Sequence, residues 1–263
     1  MDPNQDNATE FNQRAWDNIA TSPSRWFTPV DAQQVERARK GDFQIRLTGT
    51  KPVPSTWIPQ VAGTSILCLA AGGGHQGPIL AAAGANVTVY DISEEQLNLD
   101  RKVAKQNNLS LKTIQGDVID LGQLADSSFD LVVNPCSLNF VPNVLPVWRE
   151  TFRVMRPGGR MMSGMIDPVN YLFDARAMAK GEFVVRHKIP YSDLDLPAEE
   201  RAETLGTERP IDFGHTLTDL IAGQLKAGFL IEDFFQDRWG GGDPLSKMID
   251  VFIATLSRKP AES

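Results

Sequence analysis

The apolar positions of this chain change their period along its length, and each change marks an element. Residues 66–69 and 129–134 are short hydrophobic runs between turn residues, the pattern of strands buried on both faces. Residues 87–90 repeat it, residues 109–115 give a short, mixed strand, and residues 161–166, 229–235 and 248–257 complete the set. Helical spacing fills the gaps between them. Pro78 suits the first turn of a helix that carries Ile79 and Leu80 and is capped by Gly84. Ser93, followed by Glu94 and Glu95, starts a helix that runs through Leu97, Val103 and Ala104 to a stop at Asn107 and Asn108. Residues 142–154 put Val144, Leu145, Trp148 and Phe152 on one side, and residues 216–227 end at Gly228.

Strands that alternate with helices predict an α/β fold, a doubly wound Rossmann-like sheet, mostly parallel, with helices on both faces. The last two strands return on each other as a hairpin, so the final one is expected to run antiparallel. Ahead of the sheet, residues 11–19 put Phe11, Ala15, Trp16 and Ile19 on one helical face. Asp31 then caps a polar helix that stops near Gly41, while residues 1–10 read as loose. Residues 1–60 are expected to form an N-terminal helical lid segment, and residues 61–263 the main domain. The aromatics of the first segment fit either a lid over a site or a staple that plugs the open sheet. From about 168 to 215 the pattern turns irregular, with Tyr171, Phe173, His187, Tyr191 and Phe213 set among prolines and charges. So long a stretch between core elements reads as an insert that covers a substrate.

Composition removes several classes of function. With 263 residues, 41% hydrophobic and 22% charged, the chain can bury a full core in one domain with an elaboration. Its net charge is −7 and no Lys/Arg cluster stands out, which argues against nucleic acid as a partner. The apolar runs are too short to cross a bilayer and the polar start lacks a signal-peptide pattern, so a cytoplasmic protein without a membrane partner is expected. Two cysteines and three scattered histidines offer no zinc spacing, so no metal is expected, and Cys68 and Cys136 read as reduced small hydrophobes. A monomer and a homodimer fit equally.

The candidate chemistry gathers at the carboxyl ends of the strands. Gly72-x-Gly74-x-x-Gly77 follows the first core strand and opens a helix, and Asp91 closes the next strand where nucleotide-binding folds put a ribose-binding acid. That spelling also fits a nicotinamide or flavin dinucleotide. Asp117 suits an adenine amino group, with the Val118 backbone reading the ring; a solvated turn acid is the alternative. Pro135 ends the fourth strand on the crevice side, which sets Asn134 and Pro135 beside the topological switch point.

In series these residues resemble the class I S-adenosylmethionine-dependent methyltransferases, especially the small-molecule branch with the ubiquinone and menaquinone type enzymes. The stretch Leu67-Cys-Leu-Ala-Ala-Gly-Gly-Gly74 corresponds to the glycine-rich first motif and Asp91 to the ribose acid. Gly116-Asp117-Val118 corresponds to the adenine motif, and Arg156-Pro-Gly-Gly159 to the turn before the fifth strand. The resemblance covers residues 65–166 and implies the strand order 3-2-1-4-5-7-6 and S-adenosylmethionine as cofactor. It implies cofactor contacts from Ala70, Ala71, Gly72, Gly74, Asp91, Ile92, Asp117, Val118, Asn134 and Pro135. Through the lid-like Asn12-x-x-Ala15-Trp16-Asp17 stretch, it adds Arg14, Trp16 and Trp26. The chain departs from the family at Cys68, which stands where an acid usually orients the loop, and at Ala70, which replaces the first glycine. Only Asn134 and Pro135 match the Asn-Pro-Pro-Tyr motif of amino-group methyltransferases, so base methylation does not carry over.

The implied reaction is in-line methyl transfer to a small-molecule acceptor, oxygen or nitrogen rather than carbon, with no covalent residue required. An acceptor that loses a proton is helped by a general base, and the insert offers His187, His215 and Tyr191. No Tyr-x-x-x-Lys pair and no Gly-x-Ser-x-Gly elbow is present. An NAD(P)-dependent oxidoreductase and a non-catalytic cofactor-binding subunit stay open as alternatives.

Overall fold

In the computed structural model, which describes residues 3–22, 28–58, 60–206 and 209–261, helix α1 (Pro3–Thr21) and helix α2 (Ala32–Arg39) precede the sheet. Strand β1 (Ser65–Leu69), α3 (Gln76–Ala82), β2 (Asn86–Asp91), α4 (Glu94–Gln106) and β3 (Lys112–Gln115) form its first half. Then come β4 (Phe129–Asn134), α5 (Leu145–Val154) and β5 (Met155–Ile166). The insert contains α6 (Ala175–Ala179), β6 (Tyr191–Ser192), α7 (Ala198–Leu205) and β7 (Phe213–Gly214). A π turn over Thr218–Ala222 leads into α8 (Gly223–Ala227), β8 (Leu230–Asp237) and β9 (Phe252–Arg258).

The main sheet runs β3-β2-β1-β4-β5-β9-β8, with β6 and β7 paired apart from it. Counting the main sheet alone, this is the expected order 3-2-1-4-5-7-6. Strand β9 is antiparallel to both of its neighbours. The pleat sends alternate residues of β1 to opposite cores. Ile66 and Cys68 join Val35, Ala38, Leu80, Val89 and Leu97 on one face. Leu67 and Leu69 join Tyr90, Trp148, Val154 and Phe229 on the other. Burial on both faces is why this strand carries no polar alternation.

Of the boundaries that differ from the sequence reading, three have a packing reason. Helix α1 already begins at Pro3, and Ala8 packs against Leu205, Ile211 and Phe213 of the insert. Strand β5 starts at Met155 and absorbs the expected turn, because the Gly158 amide donates to Lys259 O and the Lys259 amide to Gly159 O. The helix expected from residue 216 is a π turn followed by a short α segment, where Gly223 sits so close to the Trp148 ring that a Cβ would lie 2.7 Å from it.

Val35, Ala38, Ile45, Leu47, Val53 and Trp57, all ahead of the sheet, are buried in its first core. Trp57 is 1% exposed, donates its Nε1 hydrogen to Asp233 Oδ2 at 2.8 Å and lies 5.2 Å from the Phe235 ring. It plugs the sheet beside β8. Asp237, fully buried, accepts from Thr48 Oγ1 at 2.7 Å, Thr50 Oγ1 at 2.6 Å and the amides of Thr50 and Lys51 at 2.7 and 2.8 Å. That carboxylate ties the segment before the first core strand to the last hairpin.

Candidate functional site

Where β1 ends, Ala70 turns the chain with φ +47°, and its amide donates to Tyr90 O at 2.8 Å. The glycine loop that follows is held by side chains from two other elements. The Gly72 amide donates to Asp91 Oδ2 at 2.9 Å, while the Ser93 amide donates to Asp91 Oδ1 at 3.0 Å. The Gly73 amide donates to Asp100 Oδ2 at 2.9 Å, and Asp100 also faces the Gly74 amide. Gly74 sits at φ +72° with Leu99 O and Pro29 so near that a Cβ would crowd both. Burial pushes the Asp91 carboxyl up, opposed by the Ser93 and Gly72 amides, and the charge of Asp17 adds to the rise.

The remaining strand ends supply the rest of the crevice. Asn134 closes β4 as a clamp: its Nδ2 donates to Leu69 O and to Ser137 Oγ, each at 3.0 Å, and its Oδ1 accepts from Ser163 Oγ at 3.0 Å. Asp117, after β3, accepts the Ile119 amide at 3.1 Å and faces Thr9 of α1, with Val118 buried beside it. On the loop's far side, burial and then the Arg46 guanidinium hold the His75 ring below the usual histidine range. Gln76 donates its Nε2 hydrogen to Arg46 O at 2.7 Å, and its Oε1 is buried without a partner.

Helix α1 lies across these strand ends. Asp17 accepts from Ser93 Oγ at 2.6 Å, and the Trp16 ring meets Phe140 edge-on at 5.0 Å. Asn12 donates to Phe140 O at 2.9 Å and Ile211 O at 3.1 Å, and accepts the Ile211 amide at 2.7 Å. Arg14 is on the exposed side of the helix, and Trp26 lies outside the described residues. One helix therefore touches the ends of β2, β3 and β4 and the insert.

A methyltransferase domain model matches residues 67–163. The uncharacterized methyltransferase YbaJ of Bacillus subtilis (strain 168) is 44% identical over 249 residues, which cover 94% of this chain and 97% of that one. The chain belongs to the class I S-adenosylmethionine-dependent methyltransferase family. Further away, the ubiquinone biosynthesis O-methyltransferase of Xanthomonas campestris pv. campestris (strain B100) is 26% identical over 76% of this chain and 82% of its own. A solved S-adenosylmethionine dependent methyltransferase from Mesorhizobium loti shares the fold with a TM-score of 0.62 and 21% identity, over 77% of this chain and 94% of its own.

In this methyltransferase the insert brings a polar cluster up to the end of β4. Tyr171 stacks on Tyr191 with ring centroids 5.2 Å apart, and its buried hydroxyl has no hydrogen-bond partner. Burial, then the charges of Asp212 and Cys136, push that phenol well up. Tyr191 donates its hydroxyl to Asp193 Oδ1 at 2.7 Å, and burial together with that bond raises its pKa. Asn139 donates to Asp212 Oδ1 at 2.7 Å. His215 points Nε2 at Leu138 O at 3.0 Å; burial, opposed by that carbonyl, keeps the ring below the usual range and neutral. His187 meets Tyr191 edge-on at 5.2 Å and has no ring-nitrogen hydrogen bond among the described residues.

Sequence reasoning missed Asp100, Ser163 and Arg46, and named Asn12 only as part of the lid-like stretch. The first was detectable, since Asp100 falls on the same helical stripe as Leu97, Val103 and Ala104. Among the described residues no group of three or more His, Cys, Asp or Glu side chains could hold a metal ion, and no helix is long and apolar enough to cross a membrane.

Proposed function

We propose that this methyltransferase moves a methyl group from S-adenosylmethionine to a small-molecule acceptor, at oxygen or nitrogen. The observation that carries the cofactor's placement is that Asp91 and Asp100 already take the loop amides. A dinucleotide pyrophosphate needs such amides free and would meet two buried acids there. A nucleoside with a cationic sulfonium needs neither phosphate contacts nor free amides. Asp91 retains acceptor lone pairs for a ribose diol, Asp117 and the Val118 backbone suit an adenine, and Trp16 covers that end. Arg46 provides a positive charge for a carboxylate, and the neutral His75 ring stands beside it.

Bound S-adenosylmethionine supplies an activated methyl group, and the chain has to align an acceptor and exclude water. Helix α1 closes the crevice from outside. Arg209 pairs with both acids of the insert, Asp193 and Asp212, and the one negative charge left over favours a neutral or cationic acceptor over an anionic one. Tyr171 is free to orient a polar atom of that acceptor, and His187 is the base best disposed to take a proton from oxygen or nitrogen. The test is mass spectrometry of a metabolite extract incubated with the protein and methyl-deuterated S-adenosylmethionine. Label on an oxygen or nitrogen is expected; label confined to carbon overturns the acceptor assignment.

A further inference from the structure

Asp100 sits three residues beyond Leu97 and three before Val103, so helical spacing turns it inward, and it is 0% exposed. Its Oδ2 accepts the Gly73 amide at 2.9 Å, an amide that also reaches the Gln96 carbonyl oxygen of α4 at 3.1 Å, but its Oδ1 is buried with no partner. Gly77 makes room for it: a Cβ there would lie 3.2 Å from that free oxygen and 2.6 Å from Val89. The groups that face the carboxylate are Cys68 on β1, Asp91 at the end of β2, Arg101 beside it on α4 and the two loop amides. A half-satisfied acid in a seam between helix and strand costs folding free energy, and an alanine there would avoid that cost. Residues that break a local rule in this way mark functional sites.

We propose that Asp100 is a positioning residue for the cofactor: its carboxylate draws the Gly73–Gly74 backbone down onto α4 and so fixes the loop against which the nucleoside lies. This inference rests on the cofactor placement given above. Burial carries the Asp100 carboxyl up to about 7, against the pull of the Gly74 and Gly73 amides. Near neutrality both forms are therefore populated, and the ionised form, the better acceptor, holds the loop more firmly.

The same shift fixes the sign of the stability effect. A carboxyl whose folded pKa lies above its unfolded value of about 3.9 adds stability below that value and loses it as pH rises through the folded one. Asp100→Asn, which removes the charge, should make the cofactor-free protein melt higher than wild type at about pH 8, with the difference closing toward about pH 5.

The experiment is titration calorimetry of S-adenosylhomocysteine into the cofactor-free full chain, with thermal melts alongside, between about pH 6 and 8.5. Wild type should bind up to about tenfold more weakly at the acid end. Asp100→Asn should bind about tenfold more weakly than wild type at the alkaline end, show no such pH dependence, and melt higher. Cys68→Asp combined with Asp100→Asn, which returns a carboxylate to the same spot from β1, should recover affinity. An Asp100→Asn protein that matches the wild-type affinity and pH profile, or that melts lower at about pH 8, overturns the inference. Wild type that binds no S-adenosylhomocysteine overturns the cofactor placement, and this inference with it.

Discussion

Asp91 takes the Gly72 amide at 2.9 Å across nineteen residues of chain, the number that separates the glycine loop from the end of the second strand (|i−j| = 19). A Cβ on Gly72 would lie 3.0 Å from the Asp91 carboxylate and 2.8 Å from Gln96, so the glycine is what lets loop and acid meet. The pair forms the inner wall of the crevice, and its charge suits a cationic nucleoside.

The third strand's exit depends on a similar close approach. A Cβ on Gly116 would lie 2.0 Å from Tyr90 Oη, whose hydrogen is committed to Asp120 O at 2.8 Å. Gly116→Ala is expected to cost about 1–3 kcal/mol in denaturant unfolding through overpacking, and to weaken S-adenosylhomocysteine binding by displacing Asp117.

Asn12 is the main polar fastening of α1 to the crevice. Asn12→Ala leaves the two carbonyls and one amide it serves unpaired, a local cost of about 1–3 kcal/mol. The expected result is faster amide hydrogen exchange in α1 and faster cofactor dissociation, with the exchange of β1 and β4 unchanged. Equal acceleration across the whole sheet would show that α1 is part of the core and not a cover.

How far the sequence foretold this site depends on which force sets each residue. The places of Asp91 at the end of β2, of Asp117 after β3 and of the glycine loop after β1 were legible because strand and turn spacing fixes them. Asn134 was placed correctly at the fourth strand's end, but its clamp on Leu69 and Ser163 joins three strands and has no local signature. Asp100 was hidden by the expectation that a charged residue in a polar helix faces water. The start of α1 was missed because Ala8 in its early turns packs on Leu205, Ile211 and Phe213 of the insert, some two hundred positions away, a contact with no local signature. Trp57 lies inside the core with the partly buried Phe235 ring packed against it, the plug arrangement for the residues just before the sheet.

Asp237 provides a stability test away from the site. Burial pushes its carboxyl up, but the donors on Thr50, Lys51 and Thr48 outweigh that and hold it well below the usual range. A depressed folded pKa adds stability above the unfolded value of about 3.9 and loses it as pH falls through the folded one. Asp237→Asn should therefore unfold about 1.5–3 kcal/mol more easily at neutral pH and show a shallower loss of stability in acid than wild type. Parallel acid profiles for the two proteins would remove Asp237 as the latch between the last hairpin and residues 48–51.

The central claim is that Asp91 grips the sugar of an adenosine lying across the ends of β1 and β2. Its most direct test is calorimetric titration of S-adenosylhomocysteine into wild type and Asp91→Ala, with circular dichroism to confirm that both are folded. Binding to wild type is expected, with a loss of roughly 10- to 100-fold in the variant, the worth of a charged hydrogen-bond acceptor removed from a buried site. Equal affinity for the two folded proteins would contradict it.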